Sequence, residues 1–369
     1  MSESKQASAS EYALETQAVP EVAAPELPYR PPKPKGSYRI GLIGCGGISG
    51  AHLEAYKAAG FEVVALADRT LEKAKKRRDE FYPNASVTTH VNGLIARDDL
   101  DVLDITPHPE HRKPLIRAAL ESGKHVLSQK PFVTDIDEGE ILCDLADARG
   151  LRLAVNQNGR WAPHLAYMRE AVRAGIIGNL ISAHISIHWD HTWTAGTAFE
   201  DVEDLVMYDF GIHWFDFVSS LIGRAERVQA SRSFAASQTM RIPMLSQAII
   251  EFEGGQASLI FDAHLRHGPL DQTYIGGSKG SLICTGPDLG QQTVTLYTEA
   301  GKAIPKLEGR WFNDGFAGAM GELLCAIEEN RSPLNNARDN LRSLELCFAA
   351  IAASRDGTAK RPGEVRRLE

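Results

Sequence analysis

Long apolar runs are missing from this chain. Nowhere do about eighteen hydrophobic residues follow one another, so no membrane-spanning helix and no membrane partner are expected. Cysteine is scarce, with five residues in 369. Cys45, Cys143, Cys284, Cys325 and Cys347 form no CxxC pair and leave an odd count, which reads as free thiols in a reducing compartment. Positive charge is not in excess either. Lys and Arg number 40 against 48 Asp and Glu, a formal net charge of −8, and the basic residues are scattered, so nucleic acid is not an expected partner. The N-terminus lacks the basic-then-apolar order of a secretory signal, and the expected location is the cytoplasm. What is present is a globular composition, 43% apolar and 24% charged, at a length that suits two domains.

Residues 1–36 end in "PELPYRPPKPKG" and read as a proline-rich tail, either disordered or strapped along the surface. From Tyr38 onward, short apolar strands alternate with amphipathic helices as far as "LRLAVNQN". That alternation predicts a parallel sheet covered on both faces, over 37–157. Beyond it the period changes. Ile181, Ala183, Ile185, Ile187 and Trp189 alternate with Ser182, His184, Ser186, His188 and Asp190, which predicts a strand with one apolar and one polar face. Further strands follow, with a hairpin turn at Gly254-Gly255, and then two helices. The expected class is an α/β dinucleotide-binding Rossmann domain followed, over 158–369, by an α+β domain. The second domain is built on a large, mainly antiparallel open sheet and serves substrate binding and oligomerisation.

The stretch "GLIGCGGISG" carries Gly44, Gly46 and Ser49 at the G-x-G-x-x-G spacing. It follows a strand and opens a helix, and Asp68 ends the next strand about twenty residues further on. Gly44 permits the tight turn, Gly46 and Gly47 let backbone approach a pyrophosphate, and the helix start at Ile48 and Ser49 supplies amide donors. Asp68 suits the ribose of NAD, and its carboxylate would repel the 2′-phosphate of NADP, although Arg69 beside it softens that repulsion.

Four segments then carry a resemblance. They are Thr106-Pro107 with His111, Gln129-Lys130-Pro131, Asp209-Phe210-Gly211-Ile212-His213, and "NQNGRWAPHLAYMREAVRAGIIGNL". In this order they resemble the glucose–fructose oxidoreductase/inositol dehydrogenase (Gfo/Idh/MocA) family, from about Tyr38 to near the C-terminus. The resemblance implies an NAD-dependent oxidoreductase. It would oxidise a hydroxyl of an aldose or polyol; in an aldose such as D-apiose this is the anomeric one, giving a lactone. It implies that Lys130 holds the reacting oxygen, that His213 takes its proton and that Asp209 binds substrate or orients the site. Thr106, Pro107, His108, His111, Gln129, Asn158 and Trp161 are expected at the cofactor. A cis bond before Pro131 is expected too.

The family's glutamate before lysine is Gln129 here, which removes one negative charge. If the Asp209 segment is helical, one turn places Asp209 and His213 on the same face, where the carboxylate would raise the imidazole's basicity toward a pKa near 7. Aromatic and polar groups suit a sugar, so Asn158, Trp161, His188 and Asp190 join Lys130, Asp209 and His213 as substrate contacts. No metal is expected, because His184 and His188 on one strand stand about 13 Å apart. The exposed sheet face invites a homodimer or homotetramer. Two other readings share these residues: an NAD-dependent glycoside hydrolase and a non-catalytic NAD-binding sensor.

Overall fold

The computed structural model describes residues 18–236 and 238–368. Its first layer is a six-stranded parallel sheet. The strands are β1 Arg39–Ile43, β2 Glu62–Ala67, β3 Ser86–Thr88, β4 Val102–Ile105, β5 His125–Gln129 and β6 Leu153–Asn156, in the order β3-β2-β1-β4-β5-β6. β4 and β6 are buried throughout, which is why they read as unbroken apolar runs. The order reverses between β1 and β4. At such a switch point two crossovers leave in opposite directions and open a crevice at the carboxyl ends of the strands.

The second sheet has eight strands. They are β7 Leu180–His188, β8 Ala225–Ser233, β9 Leu245–Phe252, β10 Gly255–Asp262, β11 Leu270–Gly277, β12 Gly280–Asp288, β13 Gln291–Thr298 and β14 Gly301–Ala303. Their order is β14-β13-β12-β11-β7-β10-β9-β8, antiparallel except for the β7–β10 pair. Ala183, Ile185 and Ile187 face the core as their alternation predicts, whereas Ile181 at the start of the strand is 48% exposed. The Ile212–Leu221 and Ala337–Asp356 helices cover the inner face. The short edge strand β3 is additional to the sequence reading, and so are β11, β13 and β14. The last three are rich in Gln, Thr and Gly and carry weak apolar alternation.

Three segments cross between the two halves and blur the boundary expected at 157/158. Residues 18–36 are the first; residues 1–17 of the tail lie outside the described residues. Backbone bonds tie Pro20 and Val22 to Lys302 on β14, and the Tyr167 hydroxyl donates to Pro25 at 3.0 Å. Further along, the Glu308 amide donates to the Tyr29 hydroxyl, and the Lys35 and Gly36 amides donate to the Glu328 carboxylate. The second is the Phe316–Glu328 helix. It buries Phe316, Met320, Leu323 and Leu324 in one core with Ile40, Leu42, Tyr56 and Leu127 of the parallel-sheet half. The third is the C-terminal end, where Arg366 pairs with Asp137 and Arg367 with Asp135 at the start of the Ile136–Ala148 helix.

Candidate active site

A cleft of about 1060 Å³ runs from the glycine loop to the end of β5. Its walls come from the carboxyl ends of the parallel strands, with Trp193, Phe199, Asp209 and Phe312 contributed from beyond residue 158.

At one end, Gly44 adopts φ +97°, a left-handed conformation that disfavours any side chain. A Cβ there would also fall 2.7 Å from Thr106 Oγ1. Thr106 Oγ1 donates to the Gly44 carbonyl at 2.6 Å and closes the turn. A Cβ at Gly46 or Gly47 would meet nothing within 4 Å, so the loop presents bare backbone to open space. No side chain caps the start of the Ser49–Ala59 helix at Ile48. Open backbone at an uncapped helix start in a cleft of this size fits a dinucleotide pyrophosphate. Ser49 itself is buried, its hydroxyl donating to the Gly46 carbonyl at 2.6 Å. Asp68 accepts from the Cys45 amide at 2.7 Å and the Thr70 amide at 2.8 Å. Arg69 and Lys73 line the same end of the cleft.

The loop has a clasp that sequence reasoning missed. Arg77, from the Leu71–Phe81 helix, donates to the Gly46 carbonyl at 3.0 Å, the Gly47 carbonyl at 3.2 Å and Ser49 Oγ at 3.2 Å. Its helix reads as a charged solvent face, and nothing in the local pattern sets Arg77 apart from its basic neighbours.

At the other end the Lys130–Pro131 peptide is cis, as expected. The Gln129 side-chain oxygen accepts from the Lys130 amide at 2.6 Å, and buried Arg112 donates to the Pro131 carbonyl. The Lys130 side chain reaches across the cleft. Its Nζ donates to the Asp209 carbonyl at 2.8 Å and to Oδ2 at 3.2 Å. Thr106, Pro107, His108, His111 and Gln129 line the cleft alongside.

Asp209 and His213 depart from the expected arrangement. Val206–Phe210 is a widened π turn, with the Gly211 amide bonded to the Val206 carbonyl, and the α-helix begins only at Ile212. The wider turn breaks the simple one-turn spacing, and Asp209 pairs with Lys130 instead of the imidazole. His213 Nδ1 is buried without a hydrogen-bond partner. Burial first, and the charge of Lys130 second, push the imidazole well below the ordinary histidine range rather than toward 7.

Five expected substrate contacts are not among the residues that line the cleft: His213 is one, and the other four lie as follows. Trp161 is 3% exposed and packs on the Phe316–Glu328 helix, where a Cβ at Gly318 would fall 2.3 Å from its ring. It is a core residue, because bare glycine backbone admits the indole. Asn158 is buried and accepts from Trp311 Nε1 at 2.7 Å. His188 projects from the β7 face opposite Ile187, and the register with β10 sets its ring against Asp262 at 2.7 Å. Asp190 is exposed and caps Thr192. In their place the cleft has an aromatic lip of Trp193, 59% exposed and edge-on to Phe199, and Phe312, 49% exposed. Aromatic side chains left exposed in polar loops are the signal that marks this lip.

Known proteins share this fold. Residues 38–157 match the model described as "Oxidoreductase family, NAD-binding Rossmann fold", and residues 165–283 match the GFO/IDH/MocA C-terminal domain. D-apiose dehydrogenase of Paraburkholderia graminis is 24% identical over 90% of this chain and 91% of its own length. The 1,5-anhydro-D-fructose reductase of Ensifer adhaerens is 26% identical over 87% and 97%. An Agrobacterium radiobacter oxidoreductase, solved with NAD+, L-tartaric acid and magnesium, superimposes with TM-score 0.79 over 89% of this chain and 99% of its own, at 18% identity. Levoglucosan dehydrogenase, solved with NADH and levoglucosan, does so with TM-score 0.75 over 89% and 100%, also at 18%. With its glycine loop, its switch-point cleft and both halves matched, the chain belongs to the Gfo/Idh/MocA oxidoreductase family, with an NAD-binding Rossmann domain.

Proposed function

We propose that the protein is an NAD-dependent dehydrogenase that oxidises a secondary or anomeric hydroxyl of a sugar or polyol. For an aldose such as D-apiose, the anomeric oxidation would yield a lactone. The observation that carries this reading is the crossing of the cleft by Lys130, with its ammonium held on Asp209 at the end opposite the glycine loop. When bound, the nicotinamide supplies the two-electron acceptor; everything else falls to the chain's own residues. The Lys130 ammonium donates to the substrate oxygen and stabilises the alkoxide as it develops. His213, uncharged and with a lone pair to offer, accepts the hydroxyl proton. Asp209 keeps the lysine aimed, and the Trp193–Phe199 lip and Phe312 offer ring faces to the C–H faces of a sugar. Asp68 and the backbone around Gly46 would receive the adenosine ribose and the pyrophosphate. NAD is the preferred cofactor in this reading, since the Asp68 carboxylate at the end of β2 would repel a 2′-phosphate.

A panel of aldoses and polyols with NAD or NADP, followed by NADH or NADPH absorbance, tests the proposal. A substrate that yields stoichiometric NADH, and a Lys130→Met variant that still binds NADH but is slowed at least about a thousandfold, are expected. Cleavage of aryl glycosides without net NADH would replace the dehydrogenase by a hydrolase. No turnover at any pH from about 6 to 10 would leave a sensor. The same reading includes a homo-oligomer through the outer face of the large sheet, where Ile249 is 49% and Tyr274 40% exposed. Light scattering of wild type and Ile249→Arg measures it.

A further inference from the structure

Behind the Lys130 turn lies a sealed group of polar side chains that the reaction above does not use. His52, Tyr56, Asp104 and Asn156 have no solvent exposure, and Gln129 has 5%. One bond in this group fixes all the others. The Lys130 amide can only donate, and it points at the Gln129 carbonyl oxygen at 2.6 Å. The amide nitrogen of Gln129 therefore faces the other way, toward His52 Nε2 at 3.0 Å. An amide nitrogen only donates, so His52 Nε2 must carry a lone pair and the ring proton must sit on Nδ1. From Nδ1 it is donated to Asp104 Oδ2 at 2.7 Å, where the Tyr56 hydroxyl donates as well at 2.8 Å. Asn156 adds its amide nitrogen, 3.1 Å from His52 Nε2 and 3.3 Å from the Gln129 oxygen. Phe316 covers the ring at 5.0 Å. Asp104, Tyr56, Gln129 and Asn156 are thus the polar groups that face the imidazole, and Asp104 is the one carboxyl among them.

A glutamate at position 129 could still accept from the Lys130 amide. Its second oxygen, however, would present an acceptor to His52 Nε2 and demand a proton there, leaving an imidazolium between two buried carboxylates. We propose that His52 is a positioning residue for Lys130, acting through Gln129. In this proposal Gln129, an amide where a carboxylate could stand, holds His52 as the Nδ1–H tautomer, and the ring in turn holds the lysine turn. The proposal rests on the dehydrogenase reading only for its kinetic consequence.

The test uses the full chain, and its first arm needs no substrate. Nitrogen-15 imidazole spectra near neutral pH, with the His52 signal identified by its loss in His52→Gln, should show wild-type His52 as the Nδ1–H tautomer. In Gln129→Glu the same ring should become an imidazolium. A wild-type imidazolium, an Nε2–H tautomer, or an uncharged ring in Gln129→Glu overturns the proposal.

The second arm is kinetic. His52→Gln, whose amide can donate to Asp104 and accept from Gln129, should keep kcat within about threefold. His52→Leu should lose about a hundredfold in kcat with KM and NADH affinity little changed, the signature of a misplaced reacting group. A folded His52→Leu protein with wild-type kcat overturns the positioning role, and should that variant fail to fold, the spectra decide. If no sugar is oxidised, the functional reading falls while the spectra still decide this one.

Discussion

The burial of His213 carries a consequence for pH. An imidazole held well below its usual range stays uncharged through neutrality, so the acid limb of kcat/KM for oxidation should lie well below about pH 6. A limb at or above pH 7 would assign the base to another group. Asp271 gives a stability counterpart. It is 2% exposed, its Oδ2 has no partner, and burial pushes its carboxyl up to about 7. A carboxyl raised in the folded state binds its proton more tightly there than in the unfolded chain, so stability falls as pH climbs from about 4 to about 7 and then levels off. Relative to Asp271→Asn, the wild-type unfolding free energy should therefore drop by roughly 2–3 kcal/mol between pH 5 and 8 in denaturant titrations. At this scale the sequence was legible where chemistry demands a residue type at a fixed offset, as at Gly44, Asp68 and Lys130. It was silent where a side chain's role depends on what arrives from far along the chain. Trp161 looks like a pocket aromatic until Gly318 takes it into the core. His213 looks like the partner of Asp209 until a widened turn and Lys130 intervene.

Among the elements, the extended segment 18–36 distinguishes most sharply between a linker and a structural part. It adds a bridge at the β14 edge, accepts the Tyr167 hydroxyl and sets Tyr29 edge-on to Tyr167 with ring centres 6.2 Å apart. Deletion of residues 1–34 should cost about 4 kcal/mol, at roughly 1 kcal/mol for each of four lost hydrogen bonds, read as a lowered denaturant midpoint. A tail that only links would leave the midpoint in place. Its proline content made an extended path legible in the sequence, but the partner surface was not, because Lys302 and Tyr167 lie far away along the chain. The strands of the parallel sheet were readable for the opposite reason. The five strands other than β3 are largely buried on both faces, so composition alone marks them, whereas the edge strand β3 is half-exposed and β11 and β13 expose polar faces, and these read as loops.

At the scale of the whole molecule, the order of elements was enough to foresee the two sheets, but not how the halves are joined. A cut at 157/158 would sever the Phe316–Glu328 helix from the parallel-sheet core it completes. Because that helix, the 18–36 segment and the C-terminal arginines each anchor one half to the other, heating should unfold the chain in one cooperative transition. Calorimetry should then give equal calorimetric and van't Hoff enthalpies. Saturating NAD at about 100 times its dissociation constant should stabilise the whole by about 2.7 kcal/mol.

The three crossings also decide how the protein can breathe. A cleft between two bodies invites a clamshell rotation, yet a clamshell needs one flexible spine, and here the halves are sewn together at three separate places. Cofactor is then expected to come and go past the aromatic lip of Trp193, Phe199 and Phe312, which lines the cleft. Small-angle scattering with and without NAD should give the same radius of gyration, and changes in tryptophan fluorescence on binding should be lost in Trp193→Phe. A protein of this build should be gated at its doorway, while its walls stand still.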